Sequence, residues 1–225
     1  MILELISKHL VVKHERKAQE YIKTAISPTD AEQCARKIYY RFKKAPRDEI
    51  DAKSVLVLDM GNSIHEKWQT LLEEMGIQVK AEQRIETFWG DMPIHAYIDS
   101  ICLLKDQLWI IEIKSHKEGR YGNTDYLQKA KPEHVGQAQL YMHFTGIKKA
   151  IVLYENKNSS ELREFIIDYD EVYCDGLMNR LYKVWQDVQN NQTPSRTADK
   201  KKDAYPCSFC EFRTYCYNDS SAEFD

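Results

Sequence analysis

The stretch that decides the fold is Ile94–Ser115, which reads IHAYIDSICLLKDQLWIIEIKS. Two apolar, β-branched runs flank the polar pair Lys105-Asp106, and this pattern predicts an antiparallel hairpin with a tight turn at that pair. A turn there places Asp99 of the first strand opposite Glu112 of the second. The sequence therefore predicts two carboxylates that meet on one face of a sheet.

These carboxylates and Lys114 form the candidate catalytic group. Directly opposed side chains have Cβ atoms about 4.5 to 5.5 Å apart, so both acids could reach one hard cation. Lys114 faces the same way as Glu112, two residues before it, while Ile111 and Ile113 point to the other face. Charges on so apolar a strand are costly unless they hold an ion and one another. The alternative is a structural salt bridge on a half-exposed sheet.

Helices are expected on both sides of this hairpin. Thr29 and Glu32 form a predicted capping box for a second helix, and a third is expected after Gly61, capped by Asn62 or Ser63. The alternation of helices and strands predicts a mixed α/β fold. Helices are predicted at residues 2–24, from 29, from 62 to 75, at 132–145 and at 172–189, and strands at 79–89, 94–104, 108–115, 150–155 and 162–168.

Composition restricts the class of protein. The chain of 225 residues has a formal net charge of −3 and six cysteines. It has no run of about 18 apolar residues, so we expect no membrane span, and its charged start argues against a signal peptide. We therefore expect a reducing cytoplasm, where cysteines are more often metal ligands or buried thiols than disulfides. Cys102 and Cys174 stand in apolar surroundings and are expected to pack.

The other four cysteines form a candidate metal cluster. Cys207, Cys210 and Cys216 have Cys-x2-Cys-x5-Cys spacing, and Cys34 is the fourth candidate, far away in the sequence. A zinc ribbon usually has two close cysteine pairs, whereas one is present here. The spacing therefore favours a four-thiolate iron-sulfur cluster, with Zn²⁺ as the alternative. Such a cluster would join the C-terminal tail to the second predicted helix.

Three further side chains are candidates for the site. His65 is predicted in the first turn of the third helix, where the helix N-terminus keeps the imidazole neutral and able to bind a metal. The alternative is a packed or capping histidine. Gln137 and Tyr141 are four residues apart on a predicted helix and share a face, where they could orient a phosphate or a neighbouring ligand. Ordinary polarity of a helix surface would explain them as well.

A basic segment follows Cys34 and contains no acidic residue up to Arg47. Such a segment could bind phosphates, although basic runs are more often solvated faces. A second basic run, Lys200–Lys202, lies in a polar linker before the terminal cysteines. The candidate DNA-binding residues of the first segment are Arg36, Lys37, Arg41, Lys43, Lys44 and Arg47.

The candidate site residues stand in the order of a known motif set. They resemble the motifs of RecB-type nucleases of the PD-(D/E)xK superfamily: His65, Asp99, Glu112-Ile-Lys114 and Gln137-x-x-x-Tyr141. With the four cysteines, the pattern is most similar to the iron-sulfur branch, in particular the small exonuclease of CRISPR spacer acquisition and its phage relatives. One departure is Ile98, which stands before Asp99 where the superfamily name implies proline.

The resemblance implies a restriction-endonuclease-like mixed central sheet flanked by helices. A four-cysteine [4Fe-4S] cluster would join the N-terminal helical region to the tail. His65, Asp99, Glu112 and the backbone carbonyl of Ile113 would bind Mn²⁺ or Mg²⁺. Lys114 would orient or deprotonate the attacking water, and Gln137 and Tyr141 would position DNA or brace that lysine.

The implied activity is a metal-dependent DNA exonuclease that acts on single-stranded ends, in CRISPR adaptation or in phage recombination and repair. An integrase or a helicase is the implied partner, and an oligomer is compatible with the family. The alternative function is a non-catalytic DNA-binding scaffold. We expect one nuclease domain over residues 1–225, with a helical region at 1–60, a core at 61–190, and a linker with the cysteine-rich tail at 191–225.

Overall fold

The computed structural model describes residues 1–117, 127–196 and 205–219. The segment between the predicted strand at 108–115 and the predicted helix at 132–145 falls partly outside the described residues, as does the polar linker before the terminal cysteines. Lys200–Lys202 fall wholly outside them. The helices are α1 (Ile2–Glu20), α2 (Ala35–Phe42), α3 (Ala52–Glu74), α4 (Pro132–Thr145), α5 (Glu171–Gln189) and α6 (Arg213–Asn218), and the strands are β1 (Gln78–Trp89), β2 (Met92–Leu104), β3 (Gln107–His116), β4 (Lys149–Asn156) and β5 (Leu162–Asp168).

The chain divides into two compact units. The first unit consists of Met1–Ile26, Gln33–Leu58 and Arg180–Asp225, and the second of Ser27–Glu32 and Asp59–Asn179. The second unit contains β1 to β5 and most of the predicted core at 61–190. The candidate catalytic residues of the hairpin therefore lie in the second unit, and all four candidate cluster cysteines lie in the first.

The strands of the second unit form one sheet in the order β1-β2-β3-β4-β5. β3 and β4 are parallel, and the other neighbours are antiparallel. Lys105 and Asp106 have φ values of 49° and 61°, as the two central residues of a type I′ turn require. Leu104 consequently pairs with Gln107, so the predicted turn and the register from there to Ser100↔Ile111 are confirmed.

Helices cover both faces of this sheet, because side chains of a strand alternate between its faces. Ile110 and Val152 pack on one face with Ala138 of α4. Ile113 packs on the other face with Ile64 of α3. The second unit is thus a mixed α/β structure with a five-stranded central sheet, consistent with a restriction-endonuclease-like fold.

Two predicted helix starts are wrong. α3 begins at Ala52 rather than after Gly61, because the Asp51 carboxylate accepts a hydrogen bond from the Ser54 N–H at 2.6 Å and caps the helix there. The strong helix formers before Gly61 then carry the helix through this glycine, at a cost of about 1 kcal/mol relative to alanine. Asn62 and Ser63 therefore lie within the helix and cap nothing.

The second predicted helix also begins elsewhere. Ser27 and Asp30 form a capping box around a short 3₁₀ turn, Pro28–Asp30, in which the Asp30 carboxylate accepts from the Ser27 N–H at 2.9 Å. Proline at the first helical position favours this start. α2 then begins at Ala35, with Cys34 as its N-cap residue, so the predicted box of Thr29 and Glu32 does not form.

The first unit has an aromatic core of its own. Tyr40 of α2 packs with Phe212 and Val188, and its ring meets that of Tyr215 edge-on, with centroids 5.1 Å apart. Its hydroxyl donates to Asp219 Oδ2 at 2.8 Å. These contacts attach the C-terminal segment to α2. In either unit, no helix among the described residues is long and apolar enough to cross a membrane.

Two glycines of the second unit provide a test of the backbone. Gly146 ends α4 with φ of +76°, whereas Gly176 lies inside α5, and an added Cβ would meet no atom within 4 Å at either position. We expect Gly146→Ala to destabilise the protein by about 1–2 kcal/mol, because the left-handed region penalises a Cβ. We expect Gly176→Ala to stabilise it by about 1 kcal/mol, because alanine is the better helix former. Urea unfolding followed by circular dichroism measures both; equal effects would contradict the assigned end of α4.

Candidate active site

Asp99 lies at the point where β2 and β3 stop pairing. The ladder between these strands runs from Leu104↔Gln107 to Ser100↔Ile111. Asp99 is the next residue of β2, and its Oδ2 accepts a hydrogen bond from the Ile113 backbone N–H at 2.8 Å. The predicted pair of Asp99 and Glu112 is therefore not a ladder pair, because the Asp99 side chain binds the backbone one residue beyond Glu112.

Glu112 is fully buried, and its close charged partner among the described residues is Lys114. Its side chain is 0% exposed, and neither carboxylate oxygen has a hydrogen-bond partner among the described residues. Lys114 Nζ is nevertheless in direct contact with Oε1, as an ion pair. Burial, and then the charge of Asp99, raise the pKa of Glu112 to about 7, against the opposing effect of Lys114. A carboxylate in this state is a strong candidate for a metal ligand.

A second acid of the same unit shows the contrast. Glu155 is 6% exposed, at the end of β4. Its Oε1 accepts from Lys67 Nζ at 2.6 Å, and its Oε2 accepts from Trp68 Nε1 at 2.6 Å. Because both oxygens are satisfied, Glu155 is a structural residue. Among the described residues Glu112 has the ion pair with Lys114 but no second donor, although it is more deeply buried.

Lys114 lies beside Glu112 on β3, with its side chain 20% exposed. Burial lowers the pKa of Lys114, but the charges of Glu112 and Asp99 outweigh burial and raise it above the ordinary value. Lys114 is therefore an ammonium at neutral pH in the protein without bound ions. In this state it can attract a phosphate and donate hydrogen bonds to a water molecule.

His65 reaches Asp99 from the interior of α3. Its Nδ1 is 3.4 Å from Asp99 Oδ1. Because α3 begins at Ala52, His65 does not stand at a helix N-terminus, and the predicted reason for a neutral ring is wrong. Burial lowers the pKa of His65, but the hydrogen bond and the charge of Asp99 outweigh burial and raise it. The structure thus places His65 next to Asp99. The role of His65 as a metal ligand stays a prediction.

Gln137 and Tyr141 lie on one face of α4 and touch each other. Gln137 Nε2 donates to the Tyr141 hydroxyl at 2.9 Å, and this hydroxyl donates to the Tyr97 carbonyl at 2.7 Å. Tyr141 is 2% exposed, and burial with the charge of Glu112 raises the pKa of its hydroxyl. The pair therefore braces β2 two residues before Asp99. A direct DNA contact by Tyr141, one of the predicted roles, does not fit this burial.

The candidate ligand atoms are of the chemical types that bind a divalent cation. Mn²⁺ and Mg²⁺ prefer carboxylate and carbonyl oxygens, and Mn²⁺ also accepts imidazole. Within residues 1–117, 127–196 and 205–219, no three His, Cys, Asp or Glu side chains stand close enough to hold an ion as they are. An ion would compete with Lys114 for Glu112. The fit rests on the two Glu112 oxygens, which otherwise have no hydrogen-bond partner among these residues.

The four candidate cluster cysteines are free thiols of the first unit. Cys34 and Cys210 both act electrostatically on Lys37, and Cys207 and Cys216 both act on Tyr217. Burial raises the pKa of Cys210. The other two cysteines, Cys102 and Cys174, are buried as predicted.

The basic segment is largely engaged inside the first unit. Arg36 is 1% exposed, and its Nη2 bonds Asp219 Oδ2 at 3.1 Å. The prediction that Arg36 contacts DNA is therefore revised, because a buried guanidinium cannot reach a phosphate. Lys44 is exposed. Three other members of the segment have partners in the protein. Arg41 Nη2 lies 2.8 Å from one Glu211 oxygen, and Arg47 Nη1 lies 3.3 Å from the other. Lys43 Nζ donates a hydrogen bond to the Val188 carbonyl at 2.7 Å.

Sequence reasoning missed His134. Its Nδ1 is 2.6 Å from the Tyr154 hydroxyl, and burial, with the charges of Lys114 and Lys131, lowers its pKa to about 3. A signal was available, since His134 precedes Gln137 by three residues and follows the helix-opening Pro132 by two. Helical spacing therefore places His134 near Gln137.

No family model matches this sequence, and no curated protein matches it. Among solved structures, the crystal structure of SSO0001 is similar with a TM-score of 0.60 and 19% identity, covering 96% of each chain. An alkaline exonuclease (LHK-Exo) from Laribacter hongkongensis is similar with a TM-score of 0.53 and 16% identity, covering 75% of this chain and 89% of that one. The same protein in complex with dAMP has a TM-score of 0.53 and 14% identity over the same shares. These likenesses show a common fold.

The unsatisfied Glu112 predicts a stabilising effect of Mn²⁺. An ion that binds only the folded state at 100 times its Kd adds about 2.7 kcal/mol to the free energy of unfolding. We expect Mn²⁺ to raise the unfolding temperature of the chelator-treated protein by several degrees, and Glu112→Gln to remove most of this shift. Glu155→Gln is the matched control, because it removes the same charge from a satisfied site. An equal Mn²⁺ shift in wild type and Glu112→Gln would contradict ligation by Glu112.

Proposed function

We propose that this protein is a metal-dependent DNA exonuclease that acts mainly on single-stranded ends. The observation that carries the proposal is the fully buried Glu112, with no hydrogen-bond partner among the described residues and with Lys114 and Asp99 beside it. The fold supports it, since one structural neighbour is described as an alkaline exonuclease and another as its complex with dAMP. In this proposal the ligands of Mn²⁺ or Mg²⁺ are His65, Asp99, Glu112 and the Ile113 carbonyl.

The bound cation would supply Lewis acidity to the scissile phosphate. The chain's own residues would do the rest. Lys114, beside Glu112 on β3, would orient or deprotonate the attacking water and attract the phosphate. Tyr141 would keep β2 in place through the Tyr97 carbonyl, so that Asp99 stays aligned with Ile113.

The first unit would carry a structural [4Fe-4S] cluster on Cys34, Cys207, Cys210 and Cys216. The proposal is supported by four free thiols in one unit. It is also supported by the positive Lys37, which interacts with two of them and would offset part of a cluster's negative charge. Zn²⁺ is the alternative occupant.

The biological setting is part of the same proposal. A cytoplasmic nuclease of this kind would serve CRISPR adaptation, or phage recombination and repair, beside an integrase or a helicase. Lys44 and the partly exposed members of the basic segment would contribute to DNA binding. An oligomer is compatible with the proposal.

A nuclease assay tests the site. We expect the wild type with Mn²⁺ to degrade end-labelled single-stranded DNA faster than duplex, and Glu112→Gln to lose at least about 100-fold in rate, as when a group that stabilises transition-state charge is removed. Asp168→Asn, an exposed acid of β5 paired with Lys149, is the control and should keep the wild-type rate. Undiminished cleavage by Glu112→Gln would refute the site. DNA retention without turnover in the wild type would instead favour the scaffold alternative.

Metal analysis tests the cluster. We expect anaerobically purified protein to be coloured and to contain iron and sulfide, and Cys216→Ser to lose both. Cys174→Ala, which alters a buried thiol of the second unit, should keep them. Colourless protein that contains zinc would refute the iron-sulfur cluster and indicate that the four cysteines bind Zn²⁺.

A further inference from the structure

His134 is held by a buried tyrosine at the start of α4. His134 is the third residue of the helix, and its Nδ1 lies 2.6 Å from the Tyr154 hydroxyl. That hydroxyl accepts a hydrogen bond from the Lys131 backbone N–H at 3.1 Å. Tyr154 itself is 0% exposed. The Tyr154 hydroxyl thus fixes the Nδ1 side of the His134 ring, and His134 itself is half-buried.

These contacts determine which nitrogen of His134 carries the hydrogen. A buried hydroxyl hydrogen requires an acceptor, and His134 Nδ1 is an acceptor within 2.6 Å of the Tyr154 oxygen. Nδ1 therefore accepts, and the hydrogen of the neutral ring is on Nε2. The pKa of His134, lowered to about 3 by burial and then by Lys114 and Lys131, keeps the ring neutral across the physiological range.

The ring lies beside the candidate catalytic group. Lys114 and Tyr154 are partners in the parallel register of β3 and β4, so their side chains emerge on the same face from strands about 4.8 Å apart. Tyr154 holds His134, and the charge of Lys114 acts on the imidazole. A neutral donor can stand next to an ammonium without repulsion, which an imidazolium could not do.

We propose that the Nε2–H of His134 donates a hydrogen bond to a non-bridging oxygen of the scissile DNA phosphate, beside Lys114. The inference rests on the proposed nuclease function, and it adds a substrate contact to the site. Tyr154 is the positioning residue, because it fixes the tautomer and the orientation of the ring. Lys114 and His134 would then hold the phosphate with one charged and one neutral donor.

The same helix carries a matched internal comparison. His143 Nδ1 lies 2.9 Å from the Tyr169 hydroxyl, so this pair has the same chemistry. It stands nine residues further along α4, about 14 Å along the axis at 1.5 Å per residue. No contact of His143 with the candidate catalytic group is shown among the described residues. His143 therefore serves as a control histidine.

Three variants test the proposal. His134→Asn places an amide oxygen near the Nδ1 position and keeps an acceptor for Tyr154, but it has no donor at the Nε2 position. His134→Gln places an amide N–H near that position. A hydrogen bond to a charged group contributes about 1.5–3 kcal/mol, which corresponds to roughly 10- to 150-fold. We expect His134→Asn to lose about this factor in single-turnover cleavage with Mn²⁺, His134→Gln to recover a large part of it, and His143→Asn to cleave like the wild type.

A binding measurement separates this inference from the proposed function. Affinity for fluorescein-labelled single-stranded DNA is measured with Ca²⁺ in place of Mn²⁺, and unfolding temperatures are measured for every variant. Weaker binding by His134→Asn at an unchanged unfolding temperature supports the phosphate contact, even if the wild type proves unable to cleave DNA. Cleavage and binding by His134→Asn equal to those of the wild type would overturn the inference while leaving the nuclease function in place.

Discussion

One constraint underlies the candidate site of the second unit: the Glu112 carboxylate is fully buried, and its ion-pair partner among the described residues is Lys114. Removing an ionised acid from water costs several kcal/mol, and a single ion pair with Lys114 offsets only part of it. Burial and the nearby charge of Asp99 both act against the ionised form. Local rules of stability are broken mainly at functional sites, so this cost supports the proposed metal site.

The sheet explains why Glu112 cannot escape this position. β3 is the central strand, with neighbours on both sides and a helix against each face. Strict alternation then sends Ile113 towards α3 and sends Glu112 and Lys114 towards α4. A turn of Glu112 into solvent would require a register shift, which would move every side chain of the strand to the wrong face. The alternation along the strand therefore fixes the face of the sheet on which these charged groups lie.

The parts that the sequence predicted are those set by local chemistry. Period-two alternation and the turn at Lys105-Asp106 gave the hairpin register, and proline and glycine marked both ends of α4 at Pro132 and Gly146. The errors come from tertiary context. Gly61 indicates the start of a helix in the sequence, but the cap at Asp51 starts α3 earlier in the chain. The basic segment predicts that Arg36 is a surface cation, because its partner, Asp219, lies 183 residues away in the sequence and does not enter the local pattern.

The structural salt bridge is the explanation that competes with a metal site, and the geometry weighs against it. A pair kept for stability should satisfy its atoms, as Glu155 does with Lys67 and Trp68. Replacing a buried ion pair by apolar side chains of similar size is often neutral or stabilising, so stability alone is a weak reason for such a pair. Asp99 makes the arrangement worse, because a second carboxylate raises the pKa of Glu112 without forming a bond to it. Two acids that repel each other next to one ammonium fit the proposed cation site, in which both acids would be ligands.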